Sequence, residues 1–159
     1  MKYAVAMFLS SFSIAAREAP AASPVLNYIE TRLPKSGVLK RTDEFVYVDV
    51  DDAYIHQLIP LIQDQGFVEP PYFGDNLVGA HITVIYPDEM LKYQIGEMEE
   101  LGKEIPFSSK ECVVVKPIKL PVDEVYFVTV NAPQLDQFRA KHGLPKREYD
   151  FHITIGVKP

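Results

Sequence analysis

The chain has 159 residues and a formal net charge of −6, from 16 basic and 22 acidic side chains. Hydrophobic residues make up 47% of it, which is enough to bury the core of one compact domain. The acidic balance argues against extended binding to duplex nucleic acid, because a protein that holds many phosphates needs clustered lysine and arginine. The single cysteine, Cys112, excludes a disulfide within the chain and is expected to be a small buried residue.

The first 22 residues differ in character from the rest of the chain. Lys2 precedes an apolar stretch from Tyr3 to Phe12 and then small residues, which resembles a secretory signal peptide cleaved after Ala15 or Ala21. The protein is then periplasmic or secreted; if the segment is kept, it is cytoplasmic. The apolar part is too short for a normal membrane span, so no stable membrane insertion is expected. The alternative is a strand of the domain over residues 2–9.

Residues 23–37 contain two prolines and a Lys-Ser-Gly turn and predict a linker, with at most a short element at residues 25–31. The ordered domain is therefore expected over residues 38–159. Its first elements are a strand over 45–50 and a helix over 53–65, which Asp51 or Asp52 caps and Gly66 ends.

A proline-rich loop leads from this helix to the next predicted strand, over residues 78–86. The remaining predicted elements are a helix over 87–101, strands over 112–120 and 125–130, a helix over 133–141 and a strand over 150–157. Strands and helices alternate without a glycine-rich first turn. The pattern predicts an α+β domain built of two sheets.

Two of these strands contain nearly the same four residues, His81-Ile82-Thr83-Val84 and His152-Ile153-Thr154-Ile155. Side chains alternate between the faces of a strand, so each histidine shares a face with the threonine two positions on. The isoleucine between them is expected to point into a core. Each motif therefore offers one imidazole and one hydroxyl together.

The segments before the motifs also match each other, residues 44–57 against 124–137 at a constant offset of 80. Both read as a strand followed by a helix, and the histidine motifs follow at an offset of 71. An internal repeat of this kind usually folds as two similar lobes. If the lobes face each other about a pseudo-two-fold axis, both His-Thr pairs line one central cleft.

Two histidines that face one substrate can divide proton transfer at neutral pH, because the unperturbed imidazole pKa lies near 6.5. Phosphodiester chemistry needs this division: one imidazole removes a proton from a water or ribose hydroxyl, and the other protonates the departing oxygen. The threonine hydroxyls would donate hydrogen bonds to the non-bridging phosphate oxygens. Which histidine is the base stays open.

The paired His-apolar-Thr-apolar motifs, in two related halves of a small domain, resemble the 2H phosphoesterase superfamily. The resemblance covers residues 45–157. It implies a bilobal fold with a central cleft and metal-independent hydrolysis of 2′,3′-cyclic phosphates or 2′-5′ linkages, with no cofactor. It also implies catalytic roles for His81, Thr83, His152 and Thr154, and a nucleotide or RNA end as substrate. A monomer is expected.

Aromatic residues near the motifs are candidates for substrate binding. Tyr86 and Tyr149 flank the motifs and could stack on a base, or could pack around the strand ends. Tyr72 and Phe73, in the loop before the first motif, are candidates for a wall over the cleft. Basic residues that could help to hold one or two phosphates are Lys35, Lys40, Arg41, Lys116, Lys119, Lys146 and Arg147.

Two other kinds of function compete with this hypothesis. A zinc hydrolase would use both histidines and a carboxylate such as Asp150, although each motif supplies only one histidine and no zinc-finger spacing is present. The other alternative is a non-catalytic module that binds a nucleotide or a protein. Intact histidine and threonine in both motifs favour the enzyme.

Overall fold

The computed structural model describes residues 17–71, 77–118 and 120–159, apart from the side chain of Glu18. Its centre is one curled antiparallel sheet of eight strands, in the order β1-β6-β7-β8-β4-β3-β2-β5. The strands are β1 (Arg17–Glu18), β2 (Ser36–Arg41), β3 (Val46–Asp49), β4 (His81–Ile85), β5 (Glu104–Pro106), β6 (Ser108–Val115), β7 (Glu124–Asn131) and β8 (Phe151–Lys158).

Five short α-helices connect or cover these strands. They are α1 (Ala22–Arg32), α2 (Ala53–His56), α3 (Ile59–Ile62), α4 (Pro87–Lys92) and α5 (Pro133–Lys141), and a 3₁₀ turn follows α3 at Gln63–Gln65. Contacts join α1 to β6, α2 to β8 and α5 to β4. The main core contains Val25 and Ile29 of α1 together with Ile82, Val84 and Ile153 of the sheet. None of the described helices is long and apolar enough to cross a membrane.

The two motif strands lie next to each other at the middle of the sheet. Outward from this β4/β8 seam, one side runs β4-β3-β2 and the other runs β8-β7-β6. On each side, the motif strand lies beside the strand that comes before it in the chain, β3 beside β4 and β7 beside β8. The prediction of an α+β fold is confirmed, whereas the expectation of two separate sheets is wrong, because the seam joins both sides into one.

Residues 23–37 do not form a linker. Helix α1 occupies most of that range, and Val25 and Ile29 are fully buried. The prolines suggested an irregular chain, but Pro24 lies in the first turn of the helix, where a missing backbone N–H costs little. Strand β1 pairs with β6 through Arg17 and Glu18, so the domain already includes part of the range 1–22. The apolar stretch of the signal-like pattern lies outside the described residues.

The longer predicted helices are shorter in the structure. The segment 53–65 breaks into α2, α3 and the 3₁₀ turn, because Pro60 lacks the N–H that a continuous helix needs; Gly66 ends it at φ 91°, as expected. The helix over 87–101 ends at Lys92, with Gln94 at φ 49°.

The strand over 112–120 is shifted to Ser108–Val115, and β5 was not predicted. The helix over 133–141 is confirmed, and Cys112 is buried as expected.

Candidate active site

The four motif residues lie together on one face of the sheet. Ile82 of β4 pairs with Ile153 of β8 in antiparallel register. That register places His81 beside Thr154 and Thr83 beside His152, at the cross-strand Cβ separation of about 4.5–5.5 Å that neighbouring strands allow. The structure therefore brings together all four side chains that the sequence singled out, and each imidazole has the threonine of the other motif as its neighbour.

All four side chains are largely shielded from solvent. His81 and His152 are each 6% exposed, and the two threonines 2% and 4%. The isoleucines between them are fully buried in the main core, as expected. Little of either ring is in contact with solvent, so a ligand would meet a restricted part of each imidazole.

Hydrogen bonds to the backbone fix the orientation of both rings. Nδ1 of His81 lies 2.8 Å from the carbonyl oxygen of Gly79, and His152 forms a hydrogen bond with the backbone of Asp150. In both cases the partner is two residues earlier. A neutral His81 that donates through Nδ1 keeps its lone pair on Nε2, which is the nitrogen that can accept or deliver a proton.

The carbonyl that holds His81 is itself fixed by local backbone geometry. Gly79 has a φ of +65°, and a Cβ there would lie 2.4 Å from Oδ1 of Asp52. That oxygen accepts a hydrogen bond from the N–H of Ala80 at 2.9 Å. Asp51, not Asp52, caps α2 through the N–H of Ala53. Glycine is therefore required at position 79 for both conformation and space.

Aromatic rings flank the histidines from the outer strands. Tyr47 of β3 contacts His81 edge-on with ring centroids 6.0 Å apart, and Phe127 of β7 lies 4.9 Å from His152. Phe45 stacks on Tyr47 at 5.0 Å. Tyr47 and Phe127 occupy equivalent positions in the two matching segments, at the offset of 80. Both sides of the seam therefore have an aromatic wall.

Burial and nearby charges act differently on the two histidines. Burial lowers the pKa of His152 to about 3, and the positive charges of Arg147 and His81 act in the same direction. Burial also lowers the pKa of His81, but there the Gly79 carbonyl and the carboxylate of Asp49 oppose it. Asp49 is the β3 residue opposite His81, whereas Thr129 is the β7 residue opposite His152. A protonated ring is therefore better supported at position 81.

Two arginines donate hydrogen bonds to the backbone carbonyls of β4 that follow Ile82. Nη1 of Arg147 donates to the carbonyl of Thr83 at 3.1 Å, and Nη1 of Arg139 donates to that of Val84 at 2.8 Å. Arg139 also forms a buried two-point ion pair with Glu89. The guanidinium of Arg147 instead lies over the rings of Tyr86 and Phe151. Arg147 belongs to the loop between α5 and β8.

Of the predicted substrate-binding residues, Tyr86 and Tyr149 line a cavity of about 270 Å³ next to Arg147. Tyr86 is largely buried at the start of α4, and Tyr149 is 46% exposed. Tyr72 and Phe73 lie outside the described residues. The carboxylate of Asp150 pairs with Lys110 at 3.0 Å. Within the described parts of the chain, no three His, Cys, Asp or Glu side chains converge on a common metal position.

Several residues of this site were not singled out by the sequence. Tyr47, Phe127 and Asp49 lie in the matching segments, so a comparison of equivalent positions in the two repeats would have indicated the aromatic pair. Arg147 is one of the seven basic residues that could help to hold phosphates, and nothing in the sequence distinguishes it from the other six. Its position depends on how the loop after α5 returns to the seam.

A protein-family model described as "Swiss Army Knife, 2H phosphoesterase domain" matches residues 46–159 of this chain. No curated protein and no solved structure shows a significant match. The matched range covers more than half of the chain and includes both histidine motifs, the aromatic walls and the loop with Arg147. The family is a phosphodiesterase-type hydrolase family. The chain belongs to the 2H phosphoesterases.

Proposed function

We propose that this protein is a metal-independent phosphodiesterase that hydrolyses 2′,3′-cyclic phosphate or 2′-5′ phosphodiester bonds in nucleotides or RNA ends. The observation that carries the proposal is the register of Ile82 against Ile153, which gathers two imidazoles and two hydroxyls on one face. Two imidazoles supply a base and an acid, and two hydroxyls supply donors for the phosphate oxygens. We also propose that the two matching halves arose by internal duplication and are related by a pseudo-two-fold axis.

His152 is the general base in this mechanism. Its lowered pKa, to about 3, keeps the ring neutral at pH 7 and able to accept a proton from the attacking water or ribose hydroxyl. A base with so low a pKa is weak, but a bound phosphate places negative charge beside the ring. That charge raises the pKa of His152 toward the range in which general bases work best.

His81 is the general acid. Asp49 supports its protonated form, and the same phosphate charge acts on it in the same direction. Nδ1 is engaged with the Gly79 carbonyl, so Nε2 delivers the proton to the oxygen that leaves. Thr83 and Thr154 donate hydrogen bonds to the non-bridging oxygens, whose charge must be held while the geometry at phosphorus changes.

The substrate is a small phosphodiester, and the protein acts as a monomer. Tyr149 is 46% exposed and offers a ring face on which one base can stack, and the largely buried Tyr86 lines the same cavity. Tyr72 and Phe73 remain candidates for the same role. The net charge of −6 is unfavourable for a long nucleic-acid partner. If the signal-like N-terminus is cleaved, the site of action is the periplasm or the exterior; otherwise it is the cytoplasm.

The test is turnover of the four 2′,3′-cyclic mononucleotides and a 2′-5′ dinucleotide in EDTA, with the products identified by chromatography. The proposal predicts turnover in the chelator and a loss of about a hundredfold or more in His81→Ala and in His152→Ala. The matched control is His56→Ala, because His56 is half-exposed on α2 and pairs with Glu69 outside the motifs.

The alternatives give different results in the same assay. A zinc hydrolase loses activity in EDTA and regains it when zinc is added. A binding module shows no turnover of any of these substrates, although it still binds the nucleotides. Turnover that survives both histidine substitutions would contradict the proposed mechanism.

A further inference from the structure

Arg147 lies at the end of the seam where β4 and β8 are no longer paired to each other. Its Nη1 donates to the carbonyl of Thr83 at 3.1 Å, and Nη2 is 3.5 Å from the hydroxyl of Tyr86. Thr83 is the motif residue opposite His152. The guanidinium charge also influences the ring of His152 directly. The arginine therefore lies within electrostatic reach of the proposed base.

The guanidinium is held in place without a carboxylate. Its Cζ lies 4.7 Å from the ring centroid of Phe151 and 5.2 Å from that of Tyr86. Within the described chain, no carboxylate oxygen approaches Arg147 closely enough to form an ion pair, whereas Arg17 and Arg139 each pair with a glutamate. A half-buried cation that is positioned but not neutralised has capacity for an anionic ligand.

Open space adjoins this cation on two sides. Arg147 and Lys146 line the cavity of about 270 Å³ beside Tyr86, and also a second cavity of about 120 Å³ toward α5 and β7. A ligand can therefore reach the guanidinium without displacing the core. Of its five N–H donors, the backbone carbonyl of Thr83 and the hydroxyl of Tyr86 use one each.

We propose that Arg147 binds the phosphate group of the substrate and holds it against His152. This inference rests on the proposed function for the identity of the substrate, but it concerns binding alone. A planar guanidinium can contact two phosphate oxygens at once, which also fixes the orientation of the group. Neutralising this arginine with the phosphate removes one of the charges that oppose protonation of His152, so the base becomes stronger when substrate is present.

A purely structural role for Arg147 makes a different prediction. Arg139 provides the comparison, because it donates to the adjacent carbonyl of Val84, forms an ion pair with Glu89 and donates to the Pro145 carbonyl. If Arg147 were only a second anchor of this kind, its replacement would alter stability and leave anion affinity unchanged in the folded protein.

The experiment is calorimetric titration of inorganic phosphate and of adenosine 2′-monophosphate at pH 7 into the full chain and into Arg147→Gln and Arg147→Lys. We expect Arg147→Gln to weaken both ligands by about tenfold or more, and Arg147→Lys to fall between, since lysine keeps the charge without the planar fork. The matched control is Arg32→Gln, because Arg32 is an exposed arginine at the end of α1 whose guanidinium also lies over an aromatic ring, that of Tyr28.

Unchanged phosphate affinity in folded Arg147→Gln would overturn the inference, as would an equal loss in Arg32→Gln. If Arg147→Gln does not fold, the side-chain ¹⁵N resonance of Arg147 in the wild type is followed during the phosphate titration, and the absence of a shift overturns the inference. Neither readout needs turnover. An enzyme that binds phosphate through Arg147 but cleaves nothing would therefore contradict only the proposed function.

Discussion

Ile82 lies opposite Ile153 across the seam between β4 and β8. Because side chains alternate along each strand, this one pair places each histidine beside the threonine of the other motif. The two isoleucines are fully buried and anchor the register in the main core. The site is thus a consequence of how the hydrophobic pattern sets the register of these two strands.

The threonine hydroxyls should matter for rate more than for folding. Thr83→Val and Thr154→Val keep the shape of the side chain and remove a donor that we assign to the phosphate, so kcat should fall by about 10- to 100-fold. The measurement is steady-state kinetics on whichever substrate is turned over. Thr31→Val, on the exposed surface of α1, is the control. Equal kcat for all three variants would remove the threonines from the mechanism.

The conformation of Gly79 should control the orientation of His81. In Gly79→Ala the new Cβ meets Asp52 and the backbone is strained at φ +65°, so we expect a loss of about 1–2 kcal/mol in unfolding free energy and a lower kcat. Urea unfolding and kinetics check both. Gly96→Ala is the control, because a Cβ at position 96 meets nothing within 4 Å. Wild-type activity in Gly79→Ala would show that this carbonyl does not position the ring.

The ion pair between Arg139 and Glu89 should stabilise the loop that carries Arg147. Both side chains are largely buried, at 4% and 19% exposure, and removing one partner leaves an uncompensated charge. Arg139→Met should therefore lower the unfolding free energy by about 3–5 kcal/mol. Lys141→Met, which removes an exposed lysine from its pairs with Glu99 and Glu100, should have a much smaller effect. Similar losses in both variants would contradict this distinction.

Stability should decrease as the pH falls below about 6.5. Burial lowers the pKa of His152 from 6.5 to about 3 and also lowers the pKa of His81. Between the pKa of the unfolded state and that of the native state, the unfolded chain therefore binds more protons. The two histidines therefore contribute fully to the free energy of unfolding above pH 6.5. This contribution is lost as the pH falls toward their pKa values in the native state. The pKa of Glu124 is held at about 2, mainly by its hydrogen bond to Arg17, and this contribution is lost only below about pH 4.5.

The two effects can be separated by urea unfolding at a series of pH values. His152→Asn should reduce the slope of unfolding free energy against pH from about 6.5 down to about 3, and leave the slope below about pH 3 largely unchanged. The same slope in His152→Asn and wild type would mean that His152 is not kept neutral by the fold.

The sequence predicted the parts of the site that depend on local pattern. Alternation in the two motif strands correctly indicated buried isoleucines and a shared face for each His-Thr pair. The helix over 133–141 was predicted correctly because its start at Pro133 and its apolar pattern agree. The prolines at positions 20, 24 and 34 suggest breaks and hide helix α1, although only Pro24 lies within the helix and is compatible with its first turn.

Features that depend on long-range contacts could not be predicted from the sequence. Arg147 resembles any other basic residue until the loop after α5 brings it to Thr83, 64 residues away in the chain. The joining of both sides into one sheet likewise depends on a single register pair between residues 82 and 153. The difference between the two histidines arises from Asp49 and Arg147, which approach from different elements.

The central claim is that His81 and His152 act on one reaction, and the most direct measurement is kcat/KM in EDTA for both single variants and the double variant. Acid and base that serve the same transition state are not independent. We predict a loss of about a hundredfold or more in each of His81→Ala and His152→Ala, and a double variant little worse than either. Losses that multiply in the double variant, or one histidine that can be removed without effect, would contradict the two-histidine mechanism.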